Sequence, residues 1–184
     1  MRLISLALVA CLPVATASAD FRGVLVSGRI CYDVGDAYVP DSQSGVGGGV
    51  GLRFLLGGPD HPLELGAEVN LAGYESSGDG DSILTVSVTI AWRRYFRAEG
   101  DGARPYWSIG TGWGGVFITG NDEAAVPLRI ALGISLARRN GIGLDVALFN
   151  RLTLIPMGDF PGTKFINGTG IELAIRFGGR VTGR

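Results

Sequence analysis

From Leu84 to Arg93 the chain reads Leu84-Thr85-Val86-Ser87-Val88-Thr89-Ile90-Ala91-Trp92-Arg93, a strict alternation of bulky apolar and small or polar side chains. Leu84, Val86, Val88, Ile90 and Trp92 share one face; Thr85, Ser87, Thr89, Ala91 and Arg93 share the other. A helix would scatter such a pattern around its circumference, whereas an extended strand sorts it onto two sides. The pattern returns at Pro127–Arg138. There Leu128, Ile130, Leu132, Ile134 and Leu136 oppose Arg129, Ala131, Gly133, Ser135 and Ala137.

The same period of two marks eight strands in all, at about 21–31, 45–56, 63–74, 83–97, 104–118, 126–138, 141–153 and 166–178. Between them lies turn chemistry: Gly57-Gly58-Pro59-Asp60, Glu99-Gly100-Asp101-Gly102 and Asn140-Gly141. Asn140-Gly141 suits a tight hairpin, whose central residues need positive φ. Short connections between consecutive strands predict an up-and-down antiparallel barrel, closed so that no edge is exposed. The 184 residues suit one domain, with no linker in the middle.

Side-chain volume decides which face points inward. One face is bulky: Val50, Leu52, Phe54, Leu56, Leu63, Leu65, Val69 and Leu71, then the two rows above, then Ile142, Leu144, Val146, Leu148, Ile171, Leu173, Ile175 and Phe177. The other is small: Gly47, Gly49, Gly51, Gly66, Gly110, Gly112, Gly114, Gly133, Gly143 and Ala174. An eight-stranded barrel has an interior only just wide enough for side chains. The bulky face would overpack it, so that face is assigned to lipid.

Charge agrees with this assignment. Arg29, Arg53, Glu64, Glu68, Arg93, Arg129, Asp145, Glu172 and Arg176 all fall on the small-residue face. An Arg facing mid-bilayer lipid would cost roughly 2–4 kcal/mol, whereas inside the barrel acids and bases can pair. Counting outward from the turns brings Glu64 near Arg93 and Arg53, and Asp145 level with Arg176. Trp92, Phe96, Trp107, Trp113 and Phe117 fall on the outer face near strand ends, where interfacial aromatic belts form.

Residues 1–19 read as a cleaved export signal, leaving 20–184 as the barrel domain. Arg2 is the positive start, Leu3–Ala10 the apolar core, and Ala17-Ser18-Ala19 the small-residue cleavage site. The apolar run falls far short of the ~20 residues of a spanning helix. Leu8-Val9-Ala10-Cys11 is an alternative lipid-attachment signal, in which Cys11 would be acylated. With cleavage after Ala19 only Cys31 remains, and no intrachain disulfide forms. With the N-terminus periplasmic, 57–62, 98–103 and 139–140 become periplasmic turns. The segments 32–44, 75–82, 119–125 and 154–165 become external loops, which exceed the longest turn, as expected of outer-membrane barrels.

The alternation, the export signal and the last strand, Gly170-Ile171-Glu172-Leu173-Ala174-Ile175-Arg176-Phe177, resemble the small eight-stranded outer-membrane barrel superfamily. That superfamily includes the outer membrane protein A transmembrane domain and the outer membrane protein X and W types. The last strand is similar to the signal read by the barrel-assembly machinery, although Gly178–Arg184 follow its terminal Phe. The resemblance implies a Gram-negative source and an outer-membrane location. It also implies lipid and lipopolysaccharide as surroundings, periplasmic chaperones and the assembly machinery as biogenesis partners, and a monomer.

Chemistry is sparse. A net charge of −1 without a basic stripe argues against nucleic acid. His61, the sole histidine, sits in a periplasmic turn, the wrong end for a base acting on outer-leaflet lipid. Asp79-Gly80-Asp81 and Asn121-Asp122-Glu123 read as solvated acidic loops rather than Ca²⁺ sites. Gly45-Val46-Gly47-Gly48-Gly49-Val50-Gly51 lacks the Lys-Ser/Thr of a phosphate loop and reads as a lumen strand. The expectation is a non-enzymatic structural or surface-interaction barrel without cofactor or metal. A narrow channel and a lipid A-modifying enzyme are the alternatives, and a soluble periplasmic barrel is a further one.

Overall fold

Every segment with period-two alternation forms a strand in the computed structural model, which describes residues 21–35, 44–74, 81–97, 102–118, 121–139, 141–156 and 163–178. The strands are β1 (Phe21–Gly35), β2 (Ser44–Leu56), β3 (Leu63–Tyr74), β4 (Asp81–Tyr95), β5 (Arg104–Ile118), β6 (Asn121–Arg139), β7 (Ile142–Pro156) and β8 (Thr163–Phe177). Each pairs antiparallel with the next, and β8 pairs with β1 to close the barrel. Closure satisfies every ladder and leaves no edge, the only way strands can cross a bilayer. The barrel end carrying Phe21 and Phe177 is called proximal here, and the opposite end distal.

Two glycines make the tight geometry possible. Gly23 (φ +149°) starts the β1 ladder at a bulge, where an added Cβ would meet the Phe177 carbonyl across the seam. Gly141 (φ +80°) turns the chain from β6 into β7.

The strands run further at the distal end than the sequence reading placed them. β6 is the clearest case. Pro127 has no N–H and reads as a strand start, yet the strand begins six residues earlier, at Asn121. The β5–β6 ladder is interrupted between Thr111↔Leu128 and Gly114↔Ala125, while Pro127 still stands opposite Thr153 of β7. The missing donor is absorbed as a local gap in one ladder rather than by ending the strand. Asn121-Asp122-Glu123 is therefore strand and not loop, with Glu123 opposite Val116. The distal connections shrink to 36–43, 75–80, 119–120 and 157–162. The expected excess of outer-loop length disappears, because the proximal segment 96–103 is as long as 36–43. Residues 1–19, Asp79 and Gly80 lie outside the described residues.

Outward positions form an apolar belt around the wall, including Ile30 (71% exposed), Val50 (62%) and Leu148 (64%). A continuous surface of this kind is untenable in water and natural against hydrocarbon. Trp92, Phe96 and Trp113 are exposed on it, and Trp92 and Trp107 meet edge to face at 5.1 Å. Leu148 lies at the middle of β7 and Ile142 at its proximal end. Leu148→Arg should therefore lower stability by roughly 2–4 kcal/mol and Ile142→Arg by roughly 0–1, measured by denaturant titration in lipid vesicles.

Candidate functional site

The lumen is filled in layers set by the register of the strands. At the proximal mouth the Arg104 guanidinium lies 4.0 Å from the Tyr95 ring centroid and binds Asp60 of the β2–β3 turn at 2.9 Å. Leu25, Leu55 and Ala174 pack together just inside. At the distal end Ala72, Ile83, Val116, Ala125, Ile155 and Ile166 form an apolar plug. Between the two lies a belt of buried charge.

Arg53 of β2 is the centre of that belt. It is 2% exposed, and its fork reaches three carboxylates: Glu68 at 3.1 Å, Glu64 at 3.4 Å, and Glu172 through two bonds, one of 2.9 Å. Arg29 binds Glu68 at 2.6 Å from the other side. Arg129 binds Glu172 at 3.0 Å. Arg93 joins Glu64 to Asp145, at 2.5 Å each, and lies 3.9 Å from the centroid of the Tyr106 ring. Phe149 covers the distal side, with the Arg29 and Arg129 guanidiniums 5.8 and 5.6 Å from its centroid.

Four arginines thus face four carboxylates, and the belt is neutral. Buried charges need this balance, because each unpaired one carries a desolvation penalty of several kcal/mol. Arginine suits the role because its planar fork can satisfy more than one carboxylate at once.

The glycine face makes room for these long side chains. A Cβ at Gly51 would press on Arg29 Nη2 and Ser27 Oγ, one at Gly168 on the Asp33 carboxylate, and one at Gly133 on the Tyr106 ring. Large inward residues stand opposite missing ones. Among the described residues the voids beside this belt are very small: one of about 10 Å3 among Arg53, Glu64, Glu68 and Arg129, and one of about 10 Å3 beside Thr85, Ser87 and Thr153. Each is about the volume of one water-sized sphere.

Neisserial surface protein A superposes on this structure with a TM-score of 0.58 at 13% identity, over 86% of this chain and 99% of that one. The chain has the fold of a small outer-membrane barrel. The outer-membrane enzyme PagL aligns at a TM-score of 0.48 with 15% identity, over 79% of this chain and 97% of its own. For OprG of Pseudomonas aeruginosa the values are 0.44, 13%, 86% and 95%. No protein-family model matches the chain, and no curated protein does.

Within this barrel, the nine charged residues singled out from the sequence all face the lumen. Arg29, Arg53, Glu64, Glu68, Arg93, Arg129, Asp145 and Glu172 are buried, and Arg176 is half-buried. One pairing differs from the count along the strands. Asp145 takes Arg93 from across the lumen, while Arg176 turns to the hydroxyls of Tyr95 (3.3 Å) and Ser135 (2.9 Å). Neighbour counting along the wall cannot see a contact that spans the barrel. A second buried pair, Asp33 and Arg151 at 3.7 Å, was missed in the sequence. Its signal was present, since both sit on the small face of strands whose distal ends were cut short. His61 is exposed in the β2–β3 turn with its ring 6.2 Å from Trp92. Among the described residues no group of three His, Cys, Asp or Glu is placed to hold a metal.

Arg53→Met should remove about 3–5 kcal/mol of stability, because it leaves the buried carboxylates Glu64, Glu68 and Glu172 one arginine short. Arg176→Met, which loses only hydroxyl partners, should remove about 1 kcal/mol. Chemical denaturation in lipid vesicles, followed by tryptophan fluorescence, compares the two.

Proposed function

We propose that this protein is an integral outer-membrane barrel with a structural or surface-contact role, neither conducting ions nor catalysing a reaction. It reaches that membrane through the export signal at 1–19. Periplasmic chaperones and the barrel-assembly machinery insert it, and it sits among phospholipid and lipopolysaccharide with its proximal end periplasmic. The observation that carries the reading is the filled lumen. A neutral belt of interlocked arginines and carboxylates occupies the middle, apolar residues gather at the distal end, and among the described residues the void within the belt is about 10 Å3. An ion entering this path would have to displace paired charges and then pass an apolar layer of isoleucine, valine and alanine, both steps opposed by desolvation.

Support for a non-catalytic role is chemical. A serine- or cysteine-based acyl transferase needs a base within hydrogen-bond reach of its nucleophile. His61 stands on the proximal turn against an indole ring instead. Cys31, the one cysteine among the described residues, is buried in the lumen, remote from any lipid.

Purified protein in planar bilayers should leave the current at baseline, and reproducible single-channel steps would overturn the non-conducting reading. Expression of the wild-type chain and of His61→Ala in the same Gram-negative host should give identical lipid A by mass spectrometry. A wild-type-specific change in acylation that His61→Ala abolishes would replace the structural role with an enzymatic one.

A further inference from the structure

The lipid-facing wall carries one polar interruption. On β7 the outward row runs Ile142, Leu144, Val146, Leu148, Asn150, Leu152, Leu154, and on β8 it runs Phe165, Asn167, Thr169, Ile171, Leu173, Ile175, Phe177. Asn150 and Asn167 are the two outward-facing amides within this apolar belt among the described residues. Asn150 stands opposite Ile130, midway along β6, and Asn167 lies further toward the distal end, opposite Leu152 of β7 and Val34 of β1. The Asn150 amide nitrogen donates to Asn167 Oδ1 at 2.8 Å and to Thr169 Oγ1 at 2.9 Å. Tyr32, 53% exposed, stands opposite Thr169 on the β1 side.

Hydrogen-bond capacity shows what is left over. A primary amide offers two N–H donors and a carbonyl with two lone pairs. Asn150 spends its donors inside the cluster, and its own carbonyl oxygen takes no part in those bonds. Asn167 enters the cluster through its carbonyl, and its NH2 group takes no part in those bonds. Hydrocarbon supplies no partner for either, and an unsatisfied amide in that medium is strongly disfavoured. A surface displaying one carbonyl and one NH2 side by side is complementary to itself. A two-fold axis through the cluster would bring the Asn150 carbonyl of one copy to the Asn167 amide of the other, twice over. A patch of like charge would repel its copy. An apolar patch would gain little, since lipid tails are as apolar as leucine.

We infer that the β7–β8 wall is an in-membrane interface between two copies of this chain, with the Asn150–Asn167–Thr169 cluster on the two-fold axis. This departs from the monomer expected from the sequence. The flanking Leu148, Phe165 and Ile171 would supply the surrounding contact.

The test uses the full chain, in native outer membranes and in phospholipid vesicles, with Cys31→Ser as background. Single cysteines at Thr169 and at Leu148 should form intermolecular disulfides with themselves under mild oxidation. A cysteine at Val69, on the opposite wall, should not. In Asn150→Leu/Asn167→Leu the dimerisation constant, read by energy transfer between labelled copies in vesicles, should fall about tenfold. Leucine suits this surface, so heat-modifiable migration and β-sheet circular dichroism should be unchanged and folding will not confuse the result. Equal cross-linking at Val69 and Thr169, energy transfer insensitive to the leucine pair, or cross-links only to other proteins would each overturn the inference.

Discussion

Closing eight strands on themselves leaves an interior barely wider than the side chains that must fill it, and every inward position of this chain answers to that limit. Arginine and tyrosine are the long side chains placed there, and glycine is their counterpart. Arg29 fits because Gly51 yields space beside it, and Tyr106 because Gly133 does. The abundance of glycine, 31 of 184 residues, is therefore a packing statement rather than a sign of loose structure. Interiors are close-packed, so a single added methyl at such a position must displace a charged or aromatic neighbour.

The same narrowness makes electrostatics collective. Arg53 touches Glu64, Glu68 and Glu172 together, and each of these carboxylates also meets a second arginine. No pair can be removed without leaving a buried charge short of a partner. A buried network of this kind gives weak net stability against a well-packed apolar core, but it opposes any alternative register in which one strand slips. A one-residue slip of β2 would carry Arg53 to the lipid face and Leu52 or Phe54 into the lumen.

The proposed function rests on how the lumen is filled. Its charges are mutually neutralised, apolar residues gather at its distal end, and the voids among the described residues are water-sized, so the interior is packed as a core. The amide cluster on β7 and β8 is then a feature of the outside, where the medium, not packing, sets the rules. An asparagine pair is unremarkable on a soluble surface. In hydrocarbon it asks for a partner.

How much of this was legible beforehand differs by level. Alternation named all eight strands and both faces, because the period of two is local and survives without knowledge of neighbours. The inward placement of Arg53, Glu64 and the rest followed from the same parity. Strand ends did not follow, since the acidic run Asn121-Asp122-Glu123 before Pro127 read as loop, whereas β5 holds it in a ladder. Nor did the pairing of Asp145 with Arg93, which depends on a contact across the barrel between β4 and β7. The distal plug was likewise hidden. Ile83, Ile155 and Ile166 break the rule that bulky residues face lipid, and only the closed ring brings them together. Sequence alone thus determined the period, the faces and the segregation of charge, all properties of single strands. Closure decided who touches whom across the lumen, because those distances exist only once β1 has met β8.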